Sequence, residues 1–208
     1  MIKALVICDD LWHPGEVIVK GLESFPASEV RFDIVMDAKD ILTRELLEEY
    51  SVIINCKCNS ITAANTHPWF EAGVTEVMPE DFEDYVRRGG GFLSVHSGNA
   101  FYRENDCWPY IEFVGNYFVQ HPPRCPVRVI PTGEHPITEG IDPFTVRDEH
   151  YEIRVIAEDA EQILCTESEA GGRQTGGYVR KIGQGRLCVL TPGHILSVWQ
   201  NESYQRLF

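Results

Sequence analysis

The chain has 208 residues and a formal net charge of −14, because 32 acidic residues outnumber 18 basic ones. That length predicts one domain spanning residues 1–208, with a single substantial core. The negative charge argues against nucleic acid or an anionic membrane as a partner, and no apolar run approaches the ~20 residues of a membrane helix. The first residues predict no secretory signal, and the sequence therefore predicts a cytoplasmic protein whose seven cysteines stay reduced.

The first quarter of the chain alternates apolar strands with amphipathic helices. Residues 2–8 are apolar except for Lys3 and predict a buried strand, and a helix is predicted from Pro14 to Phe25. The same pattern predicts a strand at 31–36, a helix at 43–50 and a strand at 52–55. This βαβαβ order indicates a parallel sheet covered by helices on both faces. Ligands then bind beyond the carboxyl ends of the strands.

Residues 56–79 form a polar, irregular excursion that includes Thr66-His67-Pro68-Trp69. An excursion of this length is typical of a segment that covers a site. It begins with Cys56-Lys57-Cys58, whose thiols could start a soft-metal site. No second pair of ligands follows at a zinc spacing, so ordinary buried thiols are favoured. A helix is predicted at 79–88.

A strand-turn motif follows at Ser94-Val95-His96-Ser97-Gly98. It has the shape of a nucleophile elbow, in which one residue sits on a tight strand-to-helix turn and a small residue two places later admits the next helix. His96 stands where class I glutamine amidotransferases carry cysteine, so acyl transfer through a thiolate is not expected. Ser97 points away from its neighbour, which makes a serine hydrolase a weak alternative. Its hydroxyl or N–H is predicted to contact a ligand.

The last half of the chain changes character. A helix is predicted at 108–114 and another at 202–208, and short strands are predicted at 127–131, 151–156, 162–166, 178–182 and 186–191. Residues 183–185 read as a hairpin turn. These strands indicate an antiparallel extension on the parallel sheet. His135-Pro136 reads as a structural turn, because proline fixes the backbone there.

Four segments in this order resemble the ThuA-like (trehalose utilisation) family: GGGFLSVHSG, NYFVQHPP, HPITEGIDPFTVRDEHY and GQGRLCVLTPGH. They run from Gly89 to His194, and the preceding β/α units suit the same fold. The resemblance implies an α/β fold that is flavodoxin-like and similar to that of the class I glutamine amidotransferases. It also implies a role in carbohydrate metabolism, on trehalose-like disaccharides or their keto derivatives.

The resemblance also identifies candidate site residues. The family's motif histidines and its acidic pair correspond to His96, His121, His194, Asp148 and Glu149. His150 falls at a variable place in the motif. His96 and His194 each follow a strand, so both are expected at the same rim of the sheet. Histidine suits proton transfer there because its unperturbed pKa is ~6.5, and Glu149 is the candidate carboxylate partner.

The sequence therefore predicts a sugar isomerase, lyase or hydrolase, with His96, His194 and Glu149 as catalytic residues. Residues predicted to bind substrate are His121, Asp148, Ser97, Asp10 and His13, although Asp148 could equally brace its turn. A divalent transition metal remains open as a cofactor, with His96, His121, His194 and Glu149 as candidate ligands. The alternative function is a noncatalytic sugar-binding or sensor module.

The expected partner is a small-molecule sugar, and a homo-oligomer remains open. Aromatic side chains could offer a flat face to a sugar ring, although such residues are more often core. The candidates are Trp12, Trp69, Tyr102, Trp108 and Trp199.

Overall fold

A computed structural model describes residues 1–26, 30–59, 68–103 and 107–208. The strands of the first half are β1 (Ile2–Ile7), β2 (Val30–Val35), β3 (Val52–Asn55), β4 (Gly91–Val95) and β5 (Asn116–Gln120). Those of the second half are β6 (Cys125–Pro131), β7 (Phe144–Asp148), β8 (Glu152–Val155), β9 (Glu161–Ser168), β10 (Gly172–Ile182) and β11 (Gly185–Leu190). The helices are α1 (Gly15–Glu23), α2 (Arg44–Glu48), α3 (Pro79–Arg87), α4 (Trp108–Val114), α5 (Leu196–Trp199) and α6 (Glu202–Gln205).

Nine of these strands form one mixed sheet in the order β2-β1-β3-β4-β11-β10-β9-β6-β7. The first five are parallel and follow the flavodoxin-like order, with the last strand beside β4. The remaining neighbours pair antiparallel, and β5 pairs with β8 in a separate two-stranded sheet. The predicted α/β fold with an antiparallel extension is confirmed.

Strand β1 shows why this sheet is covered on both faces. Successive side chains of a strand point to opposite faces, and Leu5 and Ile7 lie in one core cluster whereas Ala4 and Val6 lie in the other. Helices α3 and α4 contribute to the first core, and α1 and α5 to the second. The apolar residues from Ala4 onward therefore form the part of β1 that is buried on both sides.

The antiparallel half differs from the expectation in its strand boundaries. Strands β5 and β7 were not predicted, and the helix predicted at 202–208 is shorter, because α6 ends at Gln205. It begins where the Asn201 side chain accepts a hydrogen bond from the Tyr204 backbone N–H at 3.1 Å. None of the helices in the described ranges is long and apolar enough to span a membrane.

Candidate functional site

The turn after β4 sets the position of His96. This residue has a φ of 43°, in the left-handed region that costs energy for a residue with a side chain. The hydroxyl of the following residue, Ser97, donates to the Cys56 backbone carbonyl at 2.6 Å. Ser97 is buried, so its hydroxyl braces the turn against the end of β3.

Gly98 allows this close packing. A Cβ at Gly98 would overlap the backbone carbonyl oxygen of Asn55 and would lie 2.8 Å from Ser94 Oγ. Only a residue without a side chain fits between β3 and the turn. The elbow geometry is therefore built into the sequence pattern, and it presents a buried imidazole at the carboxyl edge of the sheet.

His96 Nδ1 lies 2.8 Å from the backbone oxygen of Thr191. Because a carbonyl oxygen only accepts, Nδ1 carries the proton and Nε2 presents its lone pair. Nε2 lies 3.2 Å from His194 Nδ1 and 3.5 Å from Glu149 Oε2. His194 Nδ1 lies 3.2 Å from the same carboxylate oxygen. These three atoms thus form a compact triangle of two imidazoles and one carboxylate.

Two further histidines adjoin the triangle. His121 Nε2 lies 3.5 Å from Glu149 Oε2, and 34% of the His121 side chain is exposed. The ring of His13 lies 5.1 Å from that of His96 and 5.2 Å from that of His194, measured between centroids. All three motif histidines therefore meet around Glu149, and His13 joins them from the loop after β1.

His13 is held from both sides. Its Nδ1 lies 2.7 Å from Asp10 Oδ1, and its Nε2 lies 3.2 Å from the Tyr151 hydroxyl. The Asp10 carboxylate also accepts hydrogen bonds from the backbone N–H groups of Trp12 and Cys58. Burial opposes ionisation of Asp10, but its hydrogen bond with His13 lowers the pKa of this carboxyl below its usual value. Asp10 therefore orients His13 rather than facing open solvent.

The sequence left two roles open for Asp148, substrate binding and bracing of its turn, and in the structure its contacts are those of a bracing residue. Its carboxylate is fully buried and accepts from the backbone N–H groups of Gly193 at 2.8 Å and His194 at 3.0 Å. Burial raises the pKa of Asp148 to about 7. This contact ties the end of β7 to the turn that carries His194.

The environment sets the protonation states of the cluster. Burial lowers the pKa of His96 to about 4 and also lowers the pKa of His194. Burial works against the charge of Glu149, but its close contacts with His96 and with the other imidazoles lower the pKa of this carboxyl to about 2. At neutral pH the triangle therefore consists of two neutral imidazoles and one carboxylate.

The lowered pKa of His96 predicts a pH dependence of stability. Between pH 6.5 and about 4 the unfolded chain binds a proton at this residue that the folded chain excludes. The His96 contribution to the free energy of unfolding should thus fall by about 3 kcal/mol as the pH drops through this window. Urea unfolding with a chelator present, in the parent and in His96→Gln, measures it.

Asp148 changes the free energy of unfolding in the opposite direction on acidification. Its raised pKa makes the folded chain, rather than the unfolded chain, hold the extra proton below about pH 7. The difference between parent and variant isolates His96. On acidification from pH 6.5 to 4.5, the free energy of unfolding of the parent should fall relative to that of His96→Gln. Equal slopes would show that His96 is not protected from protonation by folding.

Comparison with known proteins identifies the family. The family model ThuA, described as trehalose utilisation, matches residues 12–208. The chain belongs to the ThuA family. No curated protein matches the sequence.

Solved structures share the ThuA fold at low sequence identity. A ThuA-like protein from Bacteroides uniformis aligns at 20% identity and a TM-score of 0.73, over 99% of this chain and 87% of that one. A cytoplasmic protein from Salmonella typhimurium LT2 aligns at 13% identity and 0.70, over 99% and 96%. A β-galactosidase from Rahnella sp. R3 aligns at 12% identity and 0.67, but this chain covers only 30% of that enzyme.

Lys57 was not identified as a site residue from the sequence of this ThuA chain. Only the two thiols that flank Lys57, those of Cys56 and Cys58, were considered. Lys57 is fully buried, and its ammonium donates to the backbone carbonyl of Asp9. Asp9 has a φ of 75°, so a second strained residue lies at the carboxyl edge. Burial raises the pKa of Cys56 well above its usual range, which disfavours a thiolate metal site at Cys56-Lys57-Cys58. The seven cysteines, all within the described ranges, form no disulfide.

The aromatic residues that could contact a sugar ring differ in how far they are buried. Trp69 and Trp199 are core residues, whereas 68% of Trp12 is exposed beside His13. Tyr102 and Trp108 are exposed by 45% and 40%.

His67 and the rest of 60–67 lie outside the described residues. His135 accepts a hydrogen bond from the Ile137 backbone N–H at 3.2 Å, in line with its predicted role in a turn.

Proposed function

We propose that this chain is an enzyme of carbohydrate metabolism that acts on a trehalose-like disaccharide or its keto derivative. Proton transfer at the cluster of His96, His194 and Glu149 would carry the reaction, and the cluster would hold a divalent transition metal. Membership of the trehalose utilisation family supports the substrate class. The observation that carries the chemistry is the convergence of imidazoles on one ionised carboxylate.

The geometry of the cluster fits a metal. Ligand atoms of His13, His96, Glu149 and His194 all lie within 4.8 Å of one another. In a tetrahedral zinc site the ligand atoms are about 3.3 Å apart, given bonds of roughly 2.0–2.1 Å. The triangle edges of 3.2, 3.5 and 3.2 Å match that spacing. His121, a candidate ligand from the sequence, lies outside this group, and His13 is in it.

The protonation states and outer contacts also suit a metal. Metals bind neutral imidazole and ionised carboxylate, the forms that His96, His194 and Glu149 adopt at neutral pH. The second ring nitrogen of a ligating histidine usually contacts a carbonyl or a carboxylate. Thr191 supplies the carbonyl for His96, and Asp10 the carboxylate for His13. With these four ligands in place, a divalent ion would use a fifth coordination position to polarise a sugar oxygen or to lower the pKa of a water.

The side chains themselves provide the proton transfer. His121 faces the Glu149 carboxylate from the exposed side and lies outside the group of candidate metal ligands. An imidazole in that position can exchange a proton between substrate and cluster. Covalent catalysis through the neighbouring hydroxyl is disfavoured, because Ser97 Oγ is engaged with the Cys56 carbonyl.

The test is conversion of sugars by chelator-treated protein. Trehalose, 3-keto-trehalose and related disaccharides are incubated with the protein, with and without added Zn²⁺, Mn²⁺ or Ni²⁺, and the products are identified by mass spectrometry and NMR. We expect conversion of at least one sugar that depends on added metal. Conversion without metal would overturn the metal assignment. Sugar binding without any conversion would favour the noncatalytic sugar-binding module.

A further inference from the structure

We propose that a polar hollow beside the cluster binds one ring of the disaccharide while the other ring lies at the cluster. This proposal rests on the proposed function and names the second part of its binding site. The hollow has a volume of about 230 Å³ and is lined by Gln120, His121, Glu152, Gly171 and Gln174.

The hollow shares one wall with the cluster. His121 lines it, and His121 Nε2 lies 3.5 Å from Glu149 Oε2. A ring in the hollow is therefore separated from the catalytic carboxylate by one imidazole. The two rings of a disaccharide are joined by a single oxygen, so one ring in the hollow leaves its neighbour within reach of the cluster.

The size of the hollow favours one ring over a whole disaccharide. Pockets for drug-sized ligands start at roughly 300 Å³, and this hollow is smaller. A larger groove of about 720 Å³ lies on the antiparallel extension, between Arg128, Glu167 and Arg173. None of the cluster residues lines that groove, so it cannot place a ring beside Glu149.

The polar groups in the hollow suit sugar hydroxyls. Gln120 and Glu152 are paired in register at the end of the β5–β8 sheet, and Gln120 Nε2 donates to Glu152 Oε2 at 3.0 Å. Gln174 enters from β10, where its Nε2 donates to the Gly171 carbonyl at 2.8 Å. Amides and carboxylates offer both donors and acceptors, which is what neighbouring hydroxyls on one ring require.

His150 gives the hollow a preformed floor. Its Nδ1 lies 2.6 Å from Ser168 Oγ and its Nε2 lies 3.0 Å from Thr166 Oγ1. The Gly171 backbone N–H donates to Ser168 Oγ at 2.9 Å, and a Cβ at Gly171 would overlap His150. The hairpin turn is thus locked onto the imidazole before any sugar arrives. A preformed site has less conformational freedom to lose on binding.

The experiment compares two double variants in the full-length, metal-loaded protein. Gln120→Ala/Gln174→Ala removes both amides from the hollow. Gln162→Ala/Gln184→Ala is the matched control, because both glutamines are exposed elsewhere on the surface. Titration calorimetry measures the Kd for trehalose and 3-keto-trehalose, and elemental analysis measures metal content. Thermal unfolding confirms that each variant is folded.

We expect the hollow variant to bind its preferred disaccharide about tenfold more weakly, with unchanged metal content, while the control variant matches the parent. Equal affinities in both double variants would overturn the hollow as a subsite, whether or not the sugar is converted. Binding without turnover in the parent would contradict the proposed catalysis, yet the affinity difference would still decide on the hollow. If the parent binds no disaccharide, the hollow is not a sugar subsite. The metal content then tests only whether the cluster binds a metal.

Discussion

Replacing His96 by alanine is expected to strip the metal from the protein and to lower sugar turnover about 10³-fold or more. His96 Nε2 is one corner of the triangle with His194 and Glu149, and the lowered pKa of the imidazole keeps that nitrogen unprotonated. Removing it leaves three of the four candidate ligands, which should bind the metal more weakly and lose it to a chelator. Elemental analysis and steady-state kinetics measure the two effects.

His135→Ala is the matched control, since this histidine lies on the turn before residues 136–138 and outside the cluster. It should keep the metal and the turnover of the parent. Glu149→Gln guards against misfolding of the alanine variant, because it preserves side-chain size while removing the charge that faces three imidazoles. Parent-like metal content and turnover in His96→Ala would exclude His96 from the active site.

Replacing Gly98 by alanine is expected to cost about 3 kcal/mol of stability through overpacking. The added methyl would overlap the Asn55 carbonyl and press on Ser94 Oγ, both held in the parallel sheet. Backbone atoms cannot move aside as a flexible side chain can, so the turn that carries His96 must shift. Urea unfolding of parent and variant measures the loss, and turnover should fall with it.

Gly133→Ala separates this clash from ordinary backbone strain. Gly133 has a φ of 72° but no heavy atom within 4 Å of the position that a Cβ would take. Its substitution should cost only about 1 kcal/mol, the strain of a left-handed alanine. Similar losses at Gly98 and Gly133 would mean that the elbow is not tightly packed against β3.

The parallel half of the fold was predictable because its signal is local. Each buried strand, such as β1, is a run of apolar residues, and each helix carries an apolar face, so the chain displays the pattern segment by segment. Strands β5 and β7 give a weaker signal, since the apolar run of β5 is only three residues long, at 117–119. In β7, Thr145 and Arg147 point outward and separate the buried residues, and its partner β6 was recognisable only in part. Their strand character comes from pairing, which no local window contains.

The same distinction between local signals and long-range contacts applies to the candidate site. His96, His121, His194 and Glu149 were predictable because ordered motifs carry them. The orienting contacts were not, because they join residues far apart in sequence: Tyr151 OH meets His13 Nε2 across 138 positions. Lys57 was overlooked for a related reason, since a lone lysine gives no sign that its ammonium will be buried beneath Asp9.

The proposed function depends on one divalent metal ion held by His13, His96, His194 and Glu149. The most direct measurement is anomalous diffraction, at the zinc absorption edge, from crystals of the zinc-loaded protein. We expect one strong peak per chain, about 2.0–2.2 Å from nitrogen or oxygen atoms of these four residues. A peak at Cys56-Lys57-Cys58, or no peak at the cluster from protein that contains stoichiometric zinc, would contradict it.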